Sequence, residues 1–452
     1  MKRDPASIEA REHDVLVVGG GIAGAWLVWE AASRGLNAAL IECADFGQAS
    51  SWSSLKTAHG GLRHLQRLDL PGFRESVRER RALLRVAPEI VRPLGFAIPA
   101  DAPLEQLKYF VGGVANDVLS FDRNEGVRSD RRIGSSRLLS AEDLAQIAPK
   151  ELGWNRAFLW YDAQIAWTER LLMAILHTAD EAGAAILNHC LLETATPQEA
   201  GFDLIARDST SGRALKFRAK AVVNAAGSQI EAVARLFGDS CGVVPLIRGA
   251  NVVVGRDITP RVALGARDLG RFLFLSPWKG LSILGTAYDD GAPPLEALVG
   301  DLIESARRAF PWAEISDRDT RAVHSGHVPG RNGEPIYRSR IITHSNPRLL
   351  SILTAKYTTA RATAEAAIDR AGAALGLRLP PSRSALTELP LARPLGGSLQ
   401  SQMRAARDGE MATEANDAIR GRLEIGARGA SEAEGRIVAE VGETLWPSRP
   451  ER

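Results

Sequence analysis

The chain has 452 residues, 45% of them hydrophobic and 24% charged, with a formal net charge of +2. This is the composition of an ordinary soluble globular protein with room for roughly two or three domains. The charge balance excludes the concentrated positive field that nucleic-acid binding needs. Three scattered cysteines, Cys43, Cys190 and Cys241, exclude a disulfide scaffold and a cysteine zinc site, and fit a reducing compartment.

The start, MKRDPASIEAREH, lacks the apolar core of a signal peptide. The longest apolar run, Val15 to Trp29, is too short and too glycine-broken to span a bilayer. The expected location is cytoplasmic, with peripheral membrane contact left open.

Asp14 to Glu42 (DVLVVGGGIAGAWLVWEAASRGLNAALIE) reads as strand, glycine turn, helix and strand. Gly19, Gly21 and Gly24 follow the run Val15–Val18 at the G-x-G-x-x-G spacing of a dinucleotide-binding unit. The helix start near Ile22 would present unpaired N–H groups to a pyrophosphate, and Glu42 is placed to accept hydrogen bonds from a ribose hydroxyl. Trp26 and Trp29 on that helix are unexpected, because small residues pack more easily against a sheet. By itself this unit accommodates a nicotinamide or a flavin dinucleotide.

Downstream, Asp45 to Thr57 and His59–Arg63 form a loop rich in serine and glycine, suited to lining a phosphate chain or a ring edge. Helical spacing runs from Phe73 to Val86 and from Leu104 to Leu119. The arginine- and serine-rich stretch Asp122–Arg137 reads as a solvated excursion. Ser140–Asp143 is a capping box, and Gln164 to Glu181 reads as an amphipathic helix closed by Gly183.

Phe202–Ala206 and Ala214–Arg218 form a hairpin. Ala221–Gly227 (AVVNAAG) is a buried strand whose small end leaves room for a cofactor. Val244 to Ala287 is β-patterned, with strands at Ala250–Val254, Arg271–Ser276 and Leu281–Thr286. A helix follows from Leu295 to Phe310, then a strand from Arg348 to Thr354 and an alanine-rich helix from Ala355 to Gly376. That last junction puts Lys356, Tyr357, Thr358 and Thr359 at a helix N-terminus. Beyond Leu379 the sequence is polar and reads as a small helical tail with a weak core and no identifiable chemistry.

Several stretches together resemble the FAD-dependent glycerol-3-phosphate dehydrogenases, within the D-amino-acid-oxidase-like flavoproteins. They are the glycine motif, SSWSSLKTAHGGLRHL (Ser50–Leu65), Arg74–Pro99, Tyr161–Ala184, VVNAAG, Phe272–Asp290 and AKYTTARATAEAA (Ala355–Ala367). The resemblance spans about residues 14 to 378 and makes FAD the expected cofactor. It implies an α/β fold: a Rossmann-type FAD-binding domain (1–100, 151–243, 320–378), a β-rich substrate or cap domain (101–150, 244–319) and a short helical C-terminal extension (379–452).

By matched positions, Gly19, Gly21, Gly24 and Glu42 would hold the ADP half. Ser50, Ser51, Ser54, Lys56 and Gly60 would line the pyrophosphate and flavin, with Gly227 flanking the cofactor and Thr358 near the ring. The implied reaction is oxidation of a secondary alcohol by hydride transfer to flavin N5. His59 is the candidate base, and Arg63 and Lys356 would hold an anionic group of a small-molecule substrate. Tyr161-Asp162 reads as structural.

Three departures stand out. His64 replaces the tyrosine that usually follows HGGLR, and Val328, in Ser325-Gly326-His327-Val328-Pro329, replaces a phosphate-gripping arginine that His327 or Arg331 would have to replace. The tail is also short. The substrate therefore stays open: an amine or amino-acid oxidase, or a catalytically silent flavin-binding partner protein, are the alternatives. The electron acceptor (oxygen, quinone or a protein) is not indicated.

Overall fold

A computed structural model describes residues 1–291, 293–390, 397–423 and 425–446. The fold is built on two large sheets. The first runs in the order Arg340–Thr343, Leu349–Leu353, Ala214–Asn224, His13–Val18, Ala38–Ile41, Ala185–Leu187. Its centre is parallel: His13–Val18 pairs with both Ala214–Asn224 and Ala38–Ile41, which pairs in turn with Ala185–Leu187. Strands buried on both faces should be apolar throughout, and Val15, Leu16 and Val17 are all fully buried.

The expected hairpin and the AVVNAAG strand turn out to share one strand. The first half of Ala214–Asn224 pairs antiparallel with Gly201–Asp208, and its second half pairs parallel with His13–Val18.

Helices Ile22–Ser33, Thr168–Glu181 and Ala360–Ala374 pack together over this sheet. Their packing accounts for the two tryptophans. Trp26 and Trp29 are buried with ring centroids 5.2 Å apart, in the same core as Ala360, Ala364, Ala367 and Ala371. An alanine-faced neighbour leaves volume that only a large side chain fills at interior packing density.

The second sheet runs Glu334–Pro335, Thr320–Arg331, Leu246–Val254, Leu281–Asp289, Arg271–Trp278, Val262–Asp268, Val91–Pro99, Arg156–Ile165, Thr57–Ala58. Leu295–Ala309 covers it with a buried face of Leu298, Leu302 and Ala306. Five of these strands, Thr57–Ala58 and Glu334–Pro335 among them, come from stretches expected in the first unit. Val91–Pro99, Arg156–Ile165 and Thr320–Arg331, expected in the first unit, hydrogen-bond in the second sheet. Prolines and composition shifts mark where the chain turns, whereas membership is set by which backbone edge each strand satisfies. The helix expected from Gln164 likewise begins at Thr168, since Gln164 and Ile165 end a strand.

The C-terminal region carries helices Leu399–Gly409, Ala415–Gly421, Ile425–Arg428 and Glu432–Leu445 around a small core that includes Met403, Ala406, Leu423 and Val441. Residues 391–396, 424 and 447–452 of the expected extension lie outside the described residues. Buried ion pairs tie the tail to the rest of the chain. Arg422 grips Asp45 at 2.7 and 2.8 Å, and Arg170 grips Glu410 at 2.6 and 2.8 Å, all four side chains buried. Arg420 also stacks over Trp52, 4.6 Å from the ring centroid. The tail is therefore clamped onto the loop that follows Glu42.

Candidate functional site

At the carboxyl ends of the parallel strands, the chain turns sharply at Gly19, whose φ is +111°. A Cβ there would sit 2.6 Å from the Ala225 carbonyl oxygen. A Cβ on Gly24 would lie 1.8 Å from the Gly19 oxygen, so the third glycine of the motif is required for helix and turn to touch. Gly21 stands before the first helical residue, Ile22, whose N–H donates to Ser51 Oγ at 3.0 Å. Glu42, at the end of the second strand, accepts from the N–H groups of Gly20 (2.6 Å) and Ala44 (2.9 Å). Gly227 has φ +57° and no atom within 4 Å of a built Cβ.

Glycines, a helix start, a carboxylate and a serine thus converge on the crevice where α/β sheets bind dinucleotides. Thr359, next to Thr358, carries a buried hydroxyl with no partner among the described residues. These residues fit FAD: the glycine turn and Ser51 would hold its pyrophosphate, and Glu42 its ribose.

The remaining expected cofactor residues divide. Ser50 Oγ donates to the His327 carbonyl, and Ser54 Oγ accepts from Lys56 N at 3.3 Å. Thr358 Oγ1 accepts from His59 N at 3.1 Å and so ties the two loops together. Lys56 is engaged within the protein. Its ammonium is fully buried and donates to Trp52 O (3.0 Å), Thr168 Oγ1 (2.6 Å) and Glu169 Oε1 (2.9 Å). With all three protons engaged, it clamps the serine loop to the helix Thr168–Glu181.

His59 lies at the rim, its side chain half exposed, with Nδ1 3.3 Å from Asp162 Oδ2. Asp162 also accepts from Gly60 N (2.6 Å) and from the buried Arg80 (2.7 Å). Burial alone would raise the Asp162 pKa, but the His59 hydrogen bond and the Arg80 charge hold it below the ordinary carboxylate value. An ionised Asp162 places the imidazole proton on Nδ1 and leaves Nε2 free to accept a hydrogen bond. Asp162 is therefore the orienting partner of His59, a role the sequence reading missed. Its signal was a lone carboxylate in the buried run Ala157–Ile165.

Beyond His59 is a cationic cluster. Arg63 donates to Tyr337 Oη and stands 5.2 Å from that ring's centroid, and Lys356 Nζ lies 5.1 Å from the same centroid. Neither cation has a carboxylate ion-pair partner among the described residues. Burial lowers the Lys356 pKa to about 8, opposed by Glu75, Asp69 and Asp162 and reinforced by Arg63. Lys356 contacts His64, which contacts Asp69, which binds Arg338.

Tyr337, Asp69 and Arg338 were not anticipated, since nothing local marks them. Val328 lies on the same strand face as Gly326, whose built Cβ would meet Ser50 Cα at 2.8 Å. Side chains alternate along a strand, so His327 and Arg331 point to the opposite face and neither replaces the missing arginine.

The sequence profile of the DAO family, described as FAD dependent oxidoreductase, matches residues 14–370. A glycerol-3-phosphate dehydrogenase of Synechocystis is 29% identical over 439 residues, covering 89% of this chain and 77% of that protein. The rat mitochondrial glycerol-3-phosphate dehydrogenase is 30% identical over 426 residues, but the matched region is only 57% of its length. Among solved structures, the Bacillus halodurans glycerol-3-phosphate dehydrogenase complexed with FAD superposes with a TM-score of 0.70 at 18% identity, covering 99% of this chain and 98% of that one. A Geobacillus kaustophilus glycine oxidase gives 0.55 at 19% identity, covering 85% and 100%. At these identities the structural likeness speaks to fold alone.

Proposed function

The chain belongs to the family of FAD-dependent oxidoreductases, and from that premise we propose that it oxidises a CH–OH carbon of a small anionic substrate, glycerol 3-phosphate being the first to test. The observation that carries this reading is the pair of cations without carboxylate partners, Arg63 and Lys356, on Tyr337 beside the His59–Asp162 pair. Lys356 is partly desolvated, a desolvated cation without a counterion is costly, and an anionic substrate group supplies one.

FAD, when bound, accepts the hydride. The chain's own residues do the rest. Arg63 and Lys356 hold the anion and fix the carbinol carbon. His59 Nε2 takes the hydroxyl proton, and Asp162 stabilises the imidazolium that results. Thr358, bonded to the His59 backbone, keeps base and cation loop in register.

Anaerobic addition of glycerol 3-phosphate to the holoenzyme is expected to bleach the flavin; an unchanged spectrum would remove this substrate. Val328 supports one other reading, an amine or amino-acid oxidase, because the strand face beside Ser50 lacks a cation at that position. Peroxide formation with amines and none with alcohols would favour it.

No described helix is long and apolar enough to cross a membrane. We read peripheral membrane contact from the helix Pro103–Leu119, which turns Leu104, Leu107, Phe110, Val111, Val114 and Val118 outward while burying Gly113 and Asn116. A helix with an exposed apolar face is suited to lie in the interfacial plane. Co-sedimentation with phosphatidylcholine vesicles is expected for the wild type and strongly reduced in Leu107→Glu/Val111→Glu. Equal sedimentation of the two proteins would reject the contact.

A further inference from the structure

His64 sits between the cationic cluster and an acid that the reaction itself does not use. Its Nε2 is 2.5 Å from Lys356 Nζ, and its Nδ1 is 2.9 Å from Asp69 Oδ2. Asp69 is held in turn by Arg338 on both oxygens and by the Gly72 backbone N–H at 3.2 Å.

We propose that His64 is a positioning residue for Lys356: a neutral imidazole, locked by Asp69 with its proton on Nδ1, whose Nε2 accepts from the ammonium and leaves that charge free for the substrate anion. The inference rests on the function proposed above and names how its anion-binding cation is held in place.

The chemistry of the acceptor is the reason. A carboxylate in contact with Lys356 would orient it equally well but would neutralise it, and an anionic substrate would then have to displace that partner. A neutral nitrogen acceptor orients the ammonium without cancelling its charge.

The tautomer follows from the neighbours. The Arg338 hydrogen bond keeps Asp69 well below the usual carboxylate range, so Asp69 can only accept, and the proton it accepts is the one on Nδ1. Burial and the adjacent Lys356 charge push the His64 pKa below its ordinary value, which keeps the ring neutral near pH 7. Around Lys356 stand Glu75, Asp69, Asp162 and Arg63, with the Tyr337 ring beneath it. The edge of Tyr337 also faces His64, with centroids 6.3 Å apart.

The sign of the pH effect follows. Lys356 is an ammonium below a pKa of about 8 and loses its charge as pH rises through it. Because the imidazole stabilises the charged form, removing it moves that loss to lower pH.

Competitive labelling of the holoenzyme with acetic anhydride across pH, with peptide mass analysis of Lys356, reads this directly and needs no substrate. The Lys356 midpoint is expected to fall by ~1 pH unit or more in His64→Leu and to return in His64→Gln, whose amide oxygen can accept in place of Nε2. Asp69→Asn preserves the helix N-cap while presenting a donor to Nδ1, which turns Nε2 into an N–H. It is expected to lower the midpoint in the same direction, and it carries the test if His64→Leu fails to fold. With glycerol 3-phosphate, His64→Leu is expected to raise KM about tenfold with far less effect on kcat.

Identical Lys356 midpoints in wild type and in whichever of His64→Leu and Asp69→Asn folds would overturn the proposal. If glycerol 3-phosphate does not reduce the wild-type flavin, the function proposed above fails, and the labelling result still decides the role of His64.

Discussion

A His59→Ala variant is expected to reduce its flavin 10²–10⁴-fold more slowly than wild type with an alcohol substrate, the range that a positioned general base contributes. The side chain extends from a loop held by Asp162, Arg80 and Thr358, none of which depends on the imidazole. Flavin content and substrate affinity should therefore stay near wild type while the rate falls. Anaerobic stopped-flow measurement of flavin reduction gives the rate, and equilibrium titration of the oxidised enzyme gives the affinity. A reduction rate within about threefold of wild type would assign the proton transfer elsewhere. Asp162→Asn should show part of the same loss, because an amide no longer enforces the Nδ1–H tautomer. It would also weaken the buried Arg80 contact, so its rate must be compared at a matched fraction of folded protein.

The second large effect lies far from the chemistry. Arg422→Ala is expected to destabilise the protein by about 3–5 kcal/mol, because it leaves the Asp45 carboxylate buried without its bidentate partner. Both side chains are fully buried, and Asn188 is the remaining side-chain donor to Asp45. Asp45 follows Glu42 by three residues, and a Cβ on Gly421 would lie 2.8 Å from Asp45 Oδ2. The loss should therefore appear first as flavin release and loosening of the C-terminal helices, ahead of global unfolding. Thermal melting followed by flavin fluorescence and by far-ultraviolet circular dichroism separates these events. Coincident transitions at the wild-type temperature would show that the clamp contributes nothing. Replacing both partners, as Asp45→Leu with Arg422→Met, is expected to recover most of the stability, since a buried pair exchanged for apolar groups of similar volume is often neutral.

Legibility from sequence divided along a physical line. The Gly19–Glu42 unit was readable because every constraint in it is local: a turn needing positive φ, a helix start and a strand end lie within thirty residues. His59, Arg63 and Lys356 were singled out through motif resemblance, and the structure sets Arg63 and Lys356 on the same Tyr337 ring. For Lys56 a motif reports that a lysine is present and not which way its ammonium turns; the buried acid Glu169, far along the chain, decides that. His327 and Arg331 failed as stand-ins for an arginine at Val328 because strand parity, invisible until register is known, puts them on the wrong face.

What the sequence determined by itself is the cofactor class. Glycine spacing, strand-helix-strand order and the serine loop are short-range features, and the backbone geometry they impose is the dinucleotide site. What only the tertiary structure decided is the chemistry around the substrate. Asp162 orients His59 across a separation of 103 residues, Tyr337 lies beneath Arg63 across 274, and Lys356 reaches His64 across 292. Each is a side-chain contact between segments that lie far apart in the sequence. No local propensity or spacing encodes such a meeting, because its free energy comes from burial and charge pairing after the chain has closed those loops.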